Sequence, residues 1–147
     1  MGMRVGDLYD LDFLEWTLKN AELLRAGRFA EADILHIAEE IEDMGKSLRR
    51  SLRSRLEVLL AHLLKWKFQP EGRGSSWETT IRIQRVRIEQ LLEEMPSLRN
   101  AVAERIPAGY RTAVLAAAGE TSLPRMAFPP ECPFSLEQVL DEEFFPE

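Results

Sequence analysis

The sequence is poor in the residues that mark several protein classes. Its 147 residues include one cysteine, two histidines and no long apolar run. Cys132 alone cannot form an internal disulfide, which fits a reducing cytoplasm. The N-terminus reaches Asp7, Asp10 and Asp12 without the apolar run of a secretory signal, so we expect no export. The densest apolar stretch, residues 56–66, contains three polar residues and is too short to span a bilayer. We expect a cytoplasmic protein without a membrane anchor.

Signatures of known catalytic chemistries are missing as well. We find no nucleophile elbow, no oxyanion loop and no Gly-rich run that would cradle a phosphate, and the loop Gly72-Arg73-Gly74-Ser75 does not match a Walker motif. Cys132-Pro133 has no second cysteine for redox chemistry, so we expect an ordinary packed thiol. No cofactor is expected.

The net charge of the chain limits which partners it can bind. The chain carries 19 basic and 25 acidic residues, and its net charge of −6 is poorly suited to holding a polyanion. Four residues nevertheless form a basic stripe, Lys46, Arg49, Arg50 and Arg53, which could contact nucleic-acid phosphates or an anionic membrane. This stripe has no aromatic residues for base stacking. We therefore favour a solvated face, or docking against an acidic surface such as residues 137–147, over nucleic-acid or membrane binding.

Apolar spacing predicts an all-α fold. Asp12-x-x-Glu15 is typical of a capping box at the start of a first main helix, and Gly27 is typical of its C-cap. A second, long helical pattern starts near Phe29 and ends before Pro70. Its apolar residues recur at steps of three and four: Ile34, Ile37, Ile41, Met44, Leu48, Leu52, Leu56, Leu59, Leu63 and Trp66. Gly45 costs about 1 kcal/mol relative to Ala and could split this helix.

Two further main helices follow. A loop over residues 70–76 precedes a third helix, which Ser75 or Ser76 would cap and Pro96 closes. A fourth runs from about Ser97 to Thr121, and Pro107 either kinks it or restarts it.

The remaining chain is a proline-rich segment, residues 122–147, with a short last helix from Ser135 to Leu140. We expect one all-helical domain over residues 1–147, a bundle of four main helices with a long central helix. Residues 1–8 are expected to be flexible, and residues 122–147 to pack on the bundle.

Several different spaced motifs are distributed over nearly the whole chain. They are Tyr9-Asp10-x-Asp12-Phe13-x-x-Trp16, Leu23-Leu24-x-x-Gly27, Glu39-Glu40-Ile41-Glu42-x-Met44-Gly45, His62-Leu63-Leu64-Lys65-Trp66 and Ser76-Trp77-x-x-Thr80-Ile81-x-x-Gln84-Arg85, then Pro96-Ser97-Leu98, Tyr110, Glu120-Thr121, Pro129, Cys132-Pro133 and Phe145-Pro146. Together they resemble the bacterial family catalogued as domain of unknown function twenty-nine. The resemblance implies an all-helical fold and no assigned reaction. The sequence departs from the family pattern at Ser122, where a glycine is expected before Leu-Pro, and at Pro107.

The first candidate site is an acidic group on the long helix. His36, Glu39, Glu40 and Asp43 share one arc, away from the apolar stripe. A histidine with carboxylates three and four residues away is typical of metal sites in helical bundles, but a second helix with a matching set is missing. We therefore favour a solvated or salt-bridged face over metal binding.

The second candidate is a set of polar residues in apolar faces: His62, Thr80, Gln84 and Arg85. Buried polar groups need hydrogen-bond partners, so we expect a core network that links these four. The alternative is catalytic, with His62 as a general base and Glu40 as the other candidate.

The third candidate is a row of small residues on the long helix: Ser47, Ser51, Ser54, Val58 and Ala61. Small side chains allow another helix to approach closely, so this row predicts an interaction seam.

Two functions of different classes remain open. We favour a non-catalytic helical module that binds a protein partner or itself, for example as a homodimer, because each acid and base has an adequate structural role. The alternative is a metal-dependent or His/carboxylate hydrolytic enzyme that works through His36, Glu39, Glu40, Asp43 and His62. A nucleic-acid-associated protein is the third hypothesis.

Overall fold

The computed structural model describes residues 4–147, and every regular element in this range is helical. Six α-helices follow one another: α1 (Val5–Leu11), α2 (Phe13–Arg25), α3 (Ile34–Phe68), α4 (Ser75–Glu94), α5 (Arg99–Thr121) and α6 (Leu136–Leu140). The predicted all-α fold, with four main helices, a long central helix and a short last helix, is confirmed. Within the described range, none of the helices combines the length and apolar character needed to cross a membrane.

Local signals account for both ends of α2. At its start the Asp12 side chain accepts a hydrogen bond from the Glu15 backbone N–H at 3.0 Å. At its end Gly27 adopts φ +73°, and the N–H groups of Gly27 and Arg28 bond the Leu24 and Leu23 carbonyls. This is a Schellman ending, which favours glycine at the left-handed position. Asp12 is confirmed as the N-cap, although only its own half of the predicted capping box forms, and the C-cap is Ala26, with the predicted Gly27 directly after it.

The beginning of α3 differs from the prediction. The helix begins at Ile34 and not near Phe29, because a 3₁₀ turn over Phe29–Glu31 comes first. Gly45 does not split the helix, which continues for 35 residues. One glycine costs about 1 kcal/mol, which a long cooperative helix absorbs.

Two other local predictions are corrected. The N-cap of α4 is Gly74, so Ser75 and Ser76 lie in its first turn. α5 begins at Arg99 and continues through Pro107, which removes only one backbone donor from a 23-residue helix. Residues 1–3 lie outside the described range, so for them the expected flexibility stays a prediction, while Val5 already begins α1.

The chain forms two compact units, Met1–Ser47 and Leu48–Glu147. In the described part of the first unit, only Trp16, Asn20 and Leu23 are buried. The single domain expected over residues 1–147 stays a prediction.

The second unit has a continuous hydrophobic core. The C-terminal half of α3 supplies fully buried leucines from Leu52 to Leu64. Side chains of α4 and α5 pack against them, and the segment after α5 adds Phe128, Phe134 and Val139. Most of the chain's apolar burial therefore lies in this unit.

Ser122 ends α5 in the left-handed conformation, with φ +63°. A side chain with a Cβ costs about 1 kcal/mol there, a cost that glycine does not carry. We predict that Ser122→Gly raises the free energy of unfolding by about 1 kcal/mol, as measured by urea denaturation. Ser122→Ala keeps the Cβ, so an equal gain from alanine would contradict this explanation.

Candidate functional site

The polar arc of α3 lies against an aromatic side chain of α1. The Tyr9 ring stacks on the His36 imidazole, with ring centroids 3.9 Å apart and planes 7° from parallel. The Tyr9 hydroxyl donates a hydrogen bond to Glu40. Trp16 of α2 contacts the Tyr9 ring edge-on at 5.1 Å. The arc, which we expect to be solvated or salt-bridged, is therefore covered in part by α1.

Asp33, directly before α3, connects α2 to this arc. Its Oδ2 accepts a hydrogen bond from Trp16 Nε1 at 2.9 Å and lies 2.6 Å from His36 Nδ1. Its backbone N–H donates to Asn20 Oδ1 at 2.8 Å, and Asn20 Nδ2 donates to the Trp16 carbonyl. The buried polar groups of the first unit thus satisfy one another.

These contacts shift the pKa values of the cluster. The hydrogen bond to Asp33 raises the pKa of His36 above its ordinary value. Burial alone would raise the pKa of Asp33, but the hydrogen bonds from Trp16 and His36 outweigh it, so the pKa falls. The hydrogen bond to Glu40 raises the pKa of Tyr9 to about 12. The cluster therefore holds a carboxylate, a readily protonated imidazole and a neutral phenol.

The predicted metal ligands are divided by these contacts. His36 is paired with Asp33 and Glu40 with Tyr9, while Glu39 and Asp43 are exposed. Among residues 4–147, the structure brings no three His, Cys, Asp or Glu side chains into a group that could hold a metal ion.

This cluster contains four residues that the sequence did not predict as site residues: Tyr9, Trp16, Asn20 and Asp33. Tyr9 and Trp16 stand in the first family motif, and Glu40 stands in the third. A contact between these motifs was not visible from spacing, because it joins residues 31 positions apart.

Covering the polar arc leaves the apolar stripe of α3 exposed in its N-terminal half. From Leu52 onward the stripe is buried, but Ile41 is 59% exposed, Met44 61% and Leu48 40%. Leu11 at the end of α1 and Leu14 and Leu18 of α2 are exposed as well. Exposed apolar side chains in this number make these helices a candidate interaction surface.

The predicted network of four polar residues is not formed. His62 and Thr80 each bond the carbonyl four residues earlier in their own helix. Gln84 accepts a hydrogen bond from Arg55 at 3.3 Å, and Arg85 bonds the C-terminal segment. Local carbonyls satisfy the short side chains, so they need no partner across the core.

Arg85 is the largest fully buried side chain, at 2% exposure. Its guanidinium donates to the backbone carbonyls of Gln138, Val139 and Phe144 at 2.7–3.0 Å. These bonds tie the last segment of the chain to α4.

The predicted interaction seam is mostly open. Ser47, Ser54 and Val58 are exposed and Ser51 is half-buried, but Ala61 is 3% exposed and belongs to the core. Ala61 is therefore removed from the seam, because the packed part of α3 reaches it. A shallow groove of about 230 Å³ is lined by Ser51, Ser54, Arg55, Val58 and Gln84.

The basic stripe is exposed along α3. Arg53 lies 3.7 Å from the Glu57 carboxylate. Within residues 4–147, Lys46, Arg49 and Arg50 form no ion pair, so their charges face solvent.

An open groove of about 620 Å³ lies in the second unit. It is lined by Tyr110, Arg111, Val114, Leu115, Arg125, Met126, Phe128, Pro129 and Pro130. The Tyr110 hydroxyl donates to the Pro129 carbonyl at 2.6 Å. No carboxylate, thiol or imidazole is among these nine lining residues, so the groove offers no acid–base pair.

A family model described as "Domain of unknown function DUF29" matches residues 8–145. No curated protein and no solved structure matches the chain.

Arg85 tests how strongly the C-terminal segment depends on one side chain. We predict that Arg85→Ala lowers the free energy of unfolding by about 3 kcal/mol or more, because three carbonyls lose a buried charged donor. Urea denaturation measures this loss. Arg87→Ala, an exposed change on the same helix, should stay within about 0.5 kcal/mol. Equal effects of the two variants would contradict the assigned role.

The pKa values of the two histidines should be shifted in opposite directions from the ordinary histidine value. Imidazole NMR should give a pKa above 6.5 for His36, and below 6.5 for His62, whose burial disfavours the charged form. Asp33→Asn should return the His36 value toward 6.5 and leave His62 unchanged. A His36 value unaffected by Asp33→Asn would contradict the pairing.

The pairing of Asp33 with His36 makes the stability of the fold depend on pH. A raised His36 pKa stabilises the fold below pH 6.5, and this contribution is lost as the pH rises through the folded-state pKa. The lowered Asp33 pKa stabilises above pH 3.8, and this is lost as the pH falls through its folded-state pKa. The difference in stability between wild type and Asp33→Asn should be largest between these limits.

Proposed function

We propose, from the premise that the chain belongs to the DUF29 family and that this description assigns no activity, that the protein is a non-catalytic helical module that self-associates. The observation that carries the proposal is the uncovered apolar stripe in the N-terminal half of α3. A stripe that continues directly into a buried core, but is itself exposed, is complete only when another surface covers it.

The distribution of exposed apolar residues supports the proposal. Nine large apolar side chains are exposed among residues 4–47, against six among the hundred residues from 48 to 147. The nine are Leu11, Phe13, Leu14, Leu18, Phe29, Ile34, Leu35, Ile41 and Met44. Single exposed apolar residues are ordinary on protein surfaces, but this density is not. Full burial of one such side chain contributes roughly 1.5–3 kcal/mol, so covering a few of them can drive association.

The contacts of the catalytic candidates support the same reading. His36 and Glu40 are engaged by Asp33 and Tyr9, which gives both a structural role. His62 bonds the Val58 carbonyl, and burial lowers its pKa. A hydrolytic enzyme would need these groups to meet a substrate, whereas an association module needs them only to fix α1 and α2 on α3.

A single charge on the stripe tests self-association. We predict that the wild-type chain is oligomeric in sedimentation equilibrium and that Ile41→Lys shifts it to the monomer, because a lysine in the covered stripe would lose its hydration. Ile83→Lys is the matched control, since Ile83 is 49% exposed on α4 and outside the stripe. A wild-type chain that stays monomeric at its highest soluble concentration would overturn the proposal.

Two methionines report on the same surface without a change in sequence. Met44 and Met126 are 61% and 94% exposed in the isolated chain. If the stripe is covered in solution, peroxide should oxidise Met44 far more slowly than this modest difference in exposure implies. Ile41→Lys should remove the protection. Comparable oxidation rates in the wild type would contradict self-association through the stripe.

A further inference from the structure

The open groove of the second unit lies between α5 and the segment that follows it. Residues 110–115 of α5 supply four of its lining side chains, and residues 125–130 supply the other five. The hydrogen bond from the Tyr110 hydroxyl to the Pro129 carbonyl joins these two walls. At about 620 Å³ the groove has the volume of a small-molecule site, for which the usual range is roughly 300–1,000 Å³.

Most of the groove lining is apolar. Phe128 is buried and its ring packs edge-on against Phe68 of the core at 5.4 Å, while Val114 is half-buried. Pro129 and Pro130 have no backbone N–H, so they add apolar surface without a donor. A lining of this kind favours an aliphatic chain, because binding removes apolar surface of both partners from water.

The charged residues of the lining are both arginines, Arg111 of α5 and Arg125 of the turn after it. Within residues 4–147 neither guanidinium forms an ion pair, although the chain has 25 acidic residues against 19 basic ones. A guanidinium presents a planar set of donors that matches a carboxylate through two parallel hydrogen bonds. The charge of the groove is therefore complementary to an anion, in a protein whose net charge is −6.

A neighbouring hollow indicates on which side of Arg111 an anion is favoured. This hollow, of about 440 Å³, shares Tyr110, Arg111 and Pro130 with the groove. It is also lined by Glu131, whose carboxylate would repel an anion. The anion is therefore favoured in the groove itself, where Arg125 adds a second positive charge and no carboxylate is among the nine lining residues.

We infer that the groove binds an aliphatic carboxylate such as a medium-chain fatty acid. The carboxylate pairs with Arg111 and Arg125, and the aliphatic chain lies along Val114 and Phe128. The apolar lining favours the chain, and the two guanidinium groups favour an acid over an alcohol or an amine. All of these residues belong to the second unit, so the site is independent of the self-association proposed for the stripe of α3.

The methyl group of Met126 can report on occupation, because this side chain lines the groove and is 94% exposed. Methionine methyl resonances should be followed by NMR while decanoate is added below its micellar concentration. We expect the Met126 resonance, assigned by its loss in Met126→Leu, to shift and saturate. The resonance of Met44, which lies in the first unit, should stay unchanged.

Ligands of equal chain length separate charge from apolar contact. Decanoate should bind at least about tenfold more tightly than decanol, because only decanoate forms charge-assisted hydrogen bonds with arginine. The cation decyltrimethylammonium should bind more weakly than decanol, since both arginines repel it. Equal affinities of decanoate and decanol, or no saturable shift with decanoate, would overturn the inference. A Met126 resonance that shifts with protein concentration alone would indicate that a second chain occupies the groove, and would also overturn it.

Single substitutions test the position of the carboxylate. Arg111→Gln and Arg125→Gln should each weaken decanoate binding about tenfold and leave decanol binding unchanged, because glutamine removes the charge. Arg99→Gln is the matched control, since Arg99 is exposed on the same helix and does not line the groove. An equal loss with Arg99→Gln, or no loss with either groove variant, would contradict the assigned position.

A carboxylate built into the groove should compete with the ligand. Leu115 lines the groove and is 54% exposed, so the fold should tolerate a polar side chain there. Leu115→Glu should weaken decanoate binding about tenfold more than Leu115→Gln, because both variants lose apolar contact but only glutamate repels the anion and pairs with the arginines. Equal affinities of the two variants, with unchanged helical circular dichroism, would count against a carboxylate site.

Discussion

The contact between Asp33 and His36 decides which side of α3 the first unit covers. The ion pair, the Tyr9 ring stacked on the imidazole and the Trp16 indole bonded to the same carboxylate fix α1 and α2 on the polar arc. An amphipathic helix ordinarily packs through its apolar stripe. Here the N-terminal half packs through its polar arc, so its apolar stripe stays exposed.

The same helix behaves differently after Leu48. From Leu52 onward its stripe is buried among the leucines of the second unit, and Arg85 holds the C-terminal segment over that core through three backbone carbonyls. The buried part of α3 and its exposed apolar part therefore lie in different halves of the same helix. The C-terminal half of α3 is buried in the core of the second unit, while large apolar side chains of its N-terminal half are exposed.

The candidate acid and base of the first unit have structural partners, Tyr9 for Glu40 and Asp33 for His36. A catalytic group needs access to a substrate and a pKa suited to proton transfer. The polar atoms of His36 and Glu40 instead bond Asp33 and Tyr9, and these contacts position α1 and α2.

The sequence by itself determined the helical class, the family and both ends of α2. Asp12 and Gly27 act through bonds within a few residues, and the three-and-four spacing of apolar residues needs only helical geometry. Only tertiary structure decided which face of α3 is covered, because the contacts of Tyr9 with His36 and Glu40 join distant positions whose pairing depends on how the chain turns at Asp33. The expected network of His62, Thr80, Gln84 and Arg85 failed for a related reason. His62 and Thr80 bond carbonyls of their own helices. The buried guanidinium of Arg85 bonds a segment more than fifty residues away in the sequence.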